Sequence, residues 1–202
     1  MKIVEQRNIE EASIILSQGG LIAFPTETVF GFGVVFDDEK AYRRLIEVKR
    51  RPPEKPFTLM CADVNSIRQY AEVDKRADAL IKAFMPGQFT IVLKAKPGLP
   101  SWAVGSNGMV GIRVPDYPLV QEMIKNVGKP LLVPSANRSG EKPLTTSIEV
   151  YEIFKDEIDA VVEGESVSQK PSTIVIIDKD VKIIREGLIN QKQIDHVLEE
   201  IK

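Results

Sequence analysis

Leu21-Ile22-Ala23-Phe24-Pro25-Thr26-Glu27-Thr28-Val29-Phe30-Gly31-Phe32-Gly33-Val34-Val35-Phe36 contains two apolar runs joined by a polar, threonine-rich segment. Leu21 to Phe24 reads as a short strand ending at Pro25, and Gly33 to Phe36 as its antiparallel or neighbouring continuation. Helical signals flank the pair. Upstream, Asn8 is a polar cap with Glu11 three residues later, followed by Ile14, Ile15 and Leu16 and a Gly19-Gly20 stop. Downstream, Asp38 to Val48 has helical periodicity through Ala41, Leu45 and Val48.

The same alternation continues outward. Further strands are expected at Phe57–Ala62, Thr90–Ala95, Met109–Val114, Leu131–Val133, Ala160–Val162, Thr173–Ile177 and Lys182–Ile184. Helices are expected at about Asp63–Tyr70, Asp74–Phe84 (broken by Pro86-Gly87), Pro118–Asn126, Ser147–Phe154 and Gln191–Ile201. Pro118 suits a first helical position, Gly128 a stop, and Asn190 with Gln193 a cap. Thr173–Ile177 and Lys182–Ile184 are close enough to pair as a hairpin turning at Asp178-Lys179-Asp180. Alternation with hairpins predicts a three-layer α/β domain: one mixed, twisted β-sheet flanked by helices. At 202 residues the chain fills one core, so residues 1–202 are read as a single domain.

Composition removes several classes of chemistry. One cysteine, Cys61, excludes an intramolecular disulfide and suits a reducing compartment. With one histidine, His196 in the terminal helix, the usual structural zinc sets cannot be built, and a histidine-dependent triad would have to use that helix-face residue. No signal peptide and no apolar run long enough to span a bilayer are visible, which implies a cytoplasmic protein with no membrane partner. A net charge of −2 argues against a dedicated duplex binder while leaving room for a local basic groove.

Four loops carry more polar detail than a connector requires. In Pro25 to Gly33 a strand delivers Thr26, Glu27 and Thr28, and Gly31-x-Gly33 permits close backbone approach to a ligand or, equally, a glycine-rich hairpin turn. In Lys49-Arg50-Arg51-Pro52-Pro53-Glu54-Lys55-Pro56, four cations stand within seven residues on a proline-stiffened segment. Lysine supplies a point charge and arginine a planar fork, both suited to phosphate or carboxylate oxygens; a solvated charge run at a helix C-terminus is the rival. Arg113 lies opposite Ile112 and Val114 at a strand end, placed for a carboxylate clamp or a surface ion pair. Ser135 and Asn137, in Pro134-Ser135-Ala136-Asn137-Arg138-Ser139-Gly140, face the same way in extended backbone beyond a strand end, where α/β sheets collect ligands. An Asx or Ser turn is the alternative there.

Taken in order, Pro25-Thr26-Glu27-Thr28-Val29-Phe30-Gly31, Lys49-x-Arg51-Pro52-x-x-Lys55-Pro56, Arg113-x-Pro115 and Ser135-x-Asn137-x-Ser139-Gly140 resemble the YrdC-like threonylcarbamoyl-AMP synthase family in its short, single-domain form. The resemblance runs from about Leu21 to Gly187 and includes Pro171-Ser172-Thr173 and Arg185-Glu186-Gly187. It implies a mixed-sheet fold with a positively lined cavity. It also implies conversion of L-threonine, bicarbonate and ATP to threonylcarbamoyl-AMP and pyrophosphate. The product would pass to a tRNA threonylcarbamoyl transferase complex for threonylcarbamoyladenosine modification.

By the same resemblance Lys49 and Arg51 are the catalytic pair, holding phosphate and carbamate oxygens. Thr28, Arg113 and Ser135 contact threonine. Lys49, Arg51, Lys55, Asn137, Thr145, Ser172 and Arg185 contact the nucleotide. Mg²⁺ is implied as a companion of ATP, held by triphosphate and water without metal ligands from protein side chains. Two positions depart from the family pattern: Phe30 stands where tyrosine is common, and Phe32 where a smaller aliphatic residue is common. A protein binding double-stranded RNA or tRNA through the Lys49–Lys55 cations, or a paralogue acting on another carbamoyl compound, are the competing readings, and weak RNA binding is compatible with either enzyme or binder.

Overall fold

The computed structural model describes residues 1–51, 56–168 and 170–201. The strands are β1 (Lys2–Val4), β2 (Ile22–Phe24), β3 (Gly31–Val35), β4 (Leu59–Met60), β5 (Phe89–Lys94), β6 (Met109–Arg113), β7 (Leu131–Leu132), β8 (Ala160–Val162), β9 (Thr173–Ile177) and β10 (Val181–Arg185). The helices are α1 (Ile9–Ser17), α2 (Glu39–Lys49), α3 (Ile67–Tyr70), α4 (Lys75–Phe84), α5 (Pro118–Val127), α6 (Ser147–Phe154) and α7 (Gln191–Glu199). The strands join in one sheet ordered β1-β8-β2-β3-β7-β4-β6-β5-β9-β10. It is mixed: β8 pairs parallel with β1 and β2, β4 with β6 and β5 with β9, while β2–β3, β3–β7, β7–β4, β6–β5 and β9–β10 are antiparallel.

Side-chain alternation along β2 decides what each face buries. Leu21 and Ala23 join one core with Leu45 of α2, Leu80 of α4, Phe154 of α6 and Ile194 of α7. Ile22 and Phe24 join a second core with Leu16 of α1, Val120 and Ile124 of α5 and Met60 of β4. Helices therefore lie on both faces, as a sheet with apolar residues on both sides requires. On β3 the glycines sit opposite Phe32 and Val34. A Cβ on Gly33 would stand 2.5 Å from Phe24 Cε1, and one on Gly31 2.7 Å from Val133 Cγ1. Within the β2–β3 hairpin Gly31 and Gly33 thus make room for neighbouring side chains, which agrees with the hairpin alternative for this segment. Phe30 and Phe32 are fully buried in the first core, with Phe32 edge-on to Phe154 at 4.9 Å.

The second core stops at β4. Beyond it, β6, β5, β9 and β10 have one face packed on α4 and α7 and the other uncovered. The uncovered face presents Thr90 and Val92, Gly111, and Ile174 and Ile176, and with Arg51 and Phe57 it borders a cavity of about 470 Å³.

Three expectations about elements need correction, and one strand was missed. Asn8 stands in a 3₁₀ turn (Gln6–Asn8) and its side chain does not cap α1. Phe57–Ala62 narrows to the two-residue β4, because that strand is wedged between the ends of β7 and β6. Asp63–Tyr70 is helical only from Ile67, its first residues forming a turn in which Asp63 Oδ1 accepts the Ser66 N–H at 3.0 Å. The edge strand β1, unforeseen, is fixed by a parallel partner over 150 residues away, at register Ile3↔Val161.

Candidate functional site

The end of α2 positions the first two cations. Asp38 Oδ1 starts the helix by accepting the Ala41 N–H at 2.9 Å, and Ala41, Leu45 and Val48 bury its apolar stripe. At the other end Arg50 adopts a left-handed conformation (φ 50°), giving N–H bonds from Arg50 to Glu47 O and from Arg51 to Ile46 O. A non-glycine residue there costs about 1 kcal/mol. The reversal is what separates the three basic side chains: Lys49 points inward and is 2% exposed, Arg50 lies in solvent, and Arg51 borders the cavity with its guanidinium 5.1 Å from the Phe57 ring.

Lys49 meets the loop after β7. Its Nζ donates to Ser135 O at 2.6 Å and to Asn137 Oδ1 at 2.7 Å. Ser135 Oγ donates to the same Asn137 oxygen at 2.7 Å, and Asn137 Nδ2 to Glu141 O at 2.6 Å. The backbone clasps as well, Ser139 N–H reaching Lys49 O at 2.8 Å. Arg138 anchors the loop from behind: it donates to Val48 O and to Glu157, and stacks on Phe154 with 4.6 Å to the centroid. Burial, with a smaller contribution from Arg51, pulls the Lys49 ammonium down to about 7.

Arg113 ends β6 on the uncovered face, and Ile112 and Val114 enter the core, as alternation requires. The β2–β3 loop reaches across to it. Arg113 Nη1 and Nη2 both donate to Thr28 Oγ1 at 3.1 Å, Nε donates to Gly87 O at 3.1 Å, and Nη2 pairs with Glu27 Oε1 at 2.8 Å. Thr26 Oγ1 lies 2.8 Å from Thr28 Oγ1 and donates to or accepts from it while contacting Val29 O at 2.7 Å. Thr26, Glu27, Thr28 and Arg113 are all buried.

On the neighbouring strands Thr90 Oγ1 and Ser172 Oγ are 2.8 Å apart, and Arg185 donates to Ser172 O at 3.0 Å and to Ser172 Oγ at 3.1 Å. Burial first and the charge of Arg113 second push the Arg185 guanidinium below its ordinary value, as burial does for Arg51. Arg113 and Arg185 are thus close enough to repel, on either side of a hydroxyl pair. Arg51 and Thr90 line the cavity, Lys49 lies near Arg51, and Arg113 and Arg185 lie near the Thr90–Ser172 hydroxyl pair, a combination suited to a polyanion bearing hydrogen-bond groups.

The other named positions divide. Thr145 gives its N–H and hydroxyl to Glu149 Oε2, at 3.0 and 3.3 Å, in the capping box of α6. Its segment is tied beside the Ser135 loop by Leu144 N–H to Ala136 O at 2.9 Å. Among the described residues no hydrogen bond joins Thr145 to Lys49, Arg113 or Arg185. Lys55 lies outside the described residues. Sequence reading assigned no role to Glu27 or Thr90. The available signal for Thr90 was a polar residue between Phe89 and Ile91 in a β-rich run; Glu27, flanked by Thr26 and Thr28, gave none. Among the described residues no group of three or more His, Cys, Asp or Glu side chains could hold a metal ion, and no helix is long and apolar enough to cross a membrane.

The Sua5/YciO/YrdC family model, described as "Telomere recombination", matches residues 14–187. A threonylcarbamoyl-AMP synthase of Vibrio parahaemolyticus is 34% identical over 183 residues, covering 89% of this chain and 99% of the relative. The synthase of the same name from Klebsiella pneumoniae is 36% identical over 169 residues, covering 82% and 89%. Sua5 of P. abyssi, solved with L-threonine, superposes with a TM-score of 0.93 at 30% identity over 99% of this chain, which spans 62% of that longer protein. YciO of E. coli superposes with a TM-score of 0.88 at 28% identity, covering 96% of this chain and 98% of its own. Fold, motif order and relatives agree, and the chain belongs to the Sua5/YciO/YrdC family.

Proposed function

We propose that this protein is an L-threonylcarbamoyladenylate synthase, a nucleotidyltransferase that forms threonylcarbamoyl-AMP and pyrophosphate from L-threonine, bicarbonate and ATP. The observation that carries the reading is the Lys49–Ser135–Asn137 cluster, in which a buried ammonium 2.6 and 2.7 Å from its two acceptors keeps a further N–H for a ligand. Lys49 and Arg51 offset charge that develops when a carbamate oxygen attacks the α-phosphorus. Thr28, Arg113 and Ser135 receive threonine, its carboxylate at Arg113. Asn137, Thr145, Ser172 and Arg185 receive the nucleotide together with Lys49, Arg51 and Lys55.

The threonine amine attacks CO₂ derived from bicarbonate, a step that needs no histidine. What the labile carbamate needs is enclosure and placement. The cavity lining holds Arg51, hydroxyls and an amide and no carboxylate among the described residues, so Mg²⁺ fits as a companion of ATP, its ligands the phosphates and water. The product serves threonylcarbamoyladenosine formation in tRNA through a separate transferase complex in the cytoplasm.

Purified protein given threonine, bicarbonate and Mg-ATP is expected to release pyrophosphate only when threonine is present. Equal release with glycine or serine, or none, defeats the reading. Steeply salt-dependent RNA affinity without turnover would instead select a binding protein of the same fold.

A further inference from the structure

Glu27 is a buried carboxylate with one oxygen occupied and the other unused. Its side chain is 10% exposed, and Oε1 takes both the Arg113 Nη2–H at 2.8 Å and the Asp116 N–H at 2.9 Å. Oε2 is buried and has no hydrogen-bond partner among the described residues. The two bonds to Oε1 hold the carboxylate in place, and its backbone is fixed as well, the carbonyl accepting from Ser168 N–H at 3.2 Å and from Gln88 Nε2 at 3.4 Å. An unmet acceptor in a buried position costs about 1–3 kcal/mol, more when it is charged. Native proteins keep few of these, and each asks for a partner.

We infer that Glu27 Oε2 accepts a hydrogen bond from the nitrogen of the amino-acid substrate, so that the Arg113–Glu27 ion pair reads both ends of an α-amino acid. This rests on the proposed reading, in which Arg113 takes the substrate carboxylate. An α-amino acid carries nitrogen and carboxylate on one carbon. Anchoring the carboxylate at the guanidinium therefore delivers the nitrogen beside whatever acid that guanidinium already holds, and here it holds Glu27. With Oε1 taken by the arginine and the Asp116 N–H, Oε2 is the carboxylate oxygen left to accept from a ligand. The nitrogen retains at least one N–H as ammonium, amine and carbamate, so one contact serves it before and after carbamate formation. Glu27 orients it and takes no proton.

The test is a cycle of two proteins and two ligands, read by calorimetric binding rather than turnover. The ligands are L-threonine and (R)-3-hydroxybutyrate, which lacks only the nitrogen; the proteins are wild type and Glu27→Gln, which puts a donor at one of the two carboxylate positions. Wild type is expected to bind threonine at least about tenfold more tightly than 3-hydroxybutyrate, a difference of about 1.4 kcal/mol. Glu27→Gln is expected to bind the two ligands within about threefold of each other and to bind ATP as wild type does. Equal weakening of both ligands would mean that Glu27 only props Arg113, and would overturn the inference. Should the variant not fold, the wild-type comparison decides: equal affinity for the two ligands sinks it. Because binding is measured, a protein that binds threonine but releases no pyrophosphate refutes the synthase reading while leaving this one standing.

Discussion

Lys49→Met removes the buried ammonium and keeps most of the side-chain volume. Two effects on stability oppose each other. Ser135 O loses the donor 2.6 Å away, whereas Asn137 Oδ1 keeps Ser135 Oγ at 2.7 Å. One orphaned acceptor costs about 1–3 kcal/mol. Against that, the variant no longer buries a cation, the burden that draws Lys49 to about 7. The net change is therefore expected to be small, within about 2 kcal/mol, from these opposing terms. Activity is expected to behave differently. Removing one preorganised donor from a developing charge costs about 10²–10³ in turnover. Pyrophosphate release and urea unfolding, measured on the same sample, separate the two. A folded Lys49→Met that keeps more than about a tenth of the wild-type rate refutes the charge role assigned here.

The same residue gives two pH signatures of known sign. With its folded value near 7 and an ordinary lysine value when unfolded, Lys49 is neutral in the folded chain and charged in the unfolded chain between those limits. The unfolded state then binds more protons, so this residue makes stability rise with pH across that window. Lys49 costs most below pH 7, and Lys49→Met gains most relative to wild type there. In the free enzyme the charged form is lost as pH rises through about 7. kcat/KM for ATP, divided by that of Lys49→Arg to cancel the titration of threonine itself, is expected to fall above that pH. A ratio that stays level to pH 9 contradicts the argument.

Arg113→Met leaves Glu27 buried without its partner, and breaking such a pair costs about 3–5 kcal/mol. Thermal unfolding should drop by about 10 °C, and a shift under about 2 °C would show the pair to be dispensable. Gly33→Ala pushes a methyl to within 2.5 Å of Phe24 and is expected to cost about 1–3 kcal/mol without altering ligand affinity in the folded fraction. Arg138→Ala releases Val48 O and Glu157, so KM for ATP should rise as the Ser135 loop loosens. Arg138 holds the Glu157 carboxyl below its ordinary value, so the pair stabilises above the unfolded carboxylate range and fades as pH falls through the folded value. The Tm gap between wild type and Arg138→Ala should therefore narrow from pH 7 to pH 4, and a constant gap counts against the ion pair.

The mixed sheet was legible because strong local signals agreed with the final packing. The Ser147–Phe154 helix begins with a capping box at Thr146 and Glu149, and α5 runs from Pro118 to a left-handed Gly128. Legibility failed where a distant partner decided. β1 exists only against β8, and the length of β4 is set by β6 and β7. At the site, spacing brought Ser135 and Asn137 to one side, but nothing local shows that their shared partner is Lys49, 88 residues from Asn137 in sequence. The glycines stayed ambiguous for a related reason. Their motif fits ligand contact or a hairpin equally, and only the positions of Phe24 and Val133 show the packing that needs them. Glu27 was hidden in plain view, since a carboxylate in a threonine-rich loop signals nothing until Arg113 is found against it.

Why the site sits at one end of the sheet follows from how far each helix layer extends. α1 and α5 cover one face only as far as β4, and the other face is covered throughout by α2, α4, α6 and α7. The uncovered strands can carry Thr90, Gly111 and Ser172 at positions that elsewhere hold core aliphatics. Cations then enter from the ends: Arg51 after α2, Arg113 from β6, Arg185 from β10. Burial pulls Lys49, Arg51 and Arg185 alike below their ordinary values. Among the described residues Lys49 and Arg185 hydrogen-bond only to uncharged partners, and none of the acids described offsets their desolvation. A chain of net charge −2 has acids to spare. Among the described residues Glu27 is the acid paired with Arg113, so the natural counter-charge of the remaining cations is a polyanionic ligand, and the buried second oxygen of Glu27 is left needing a partner.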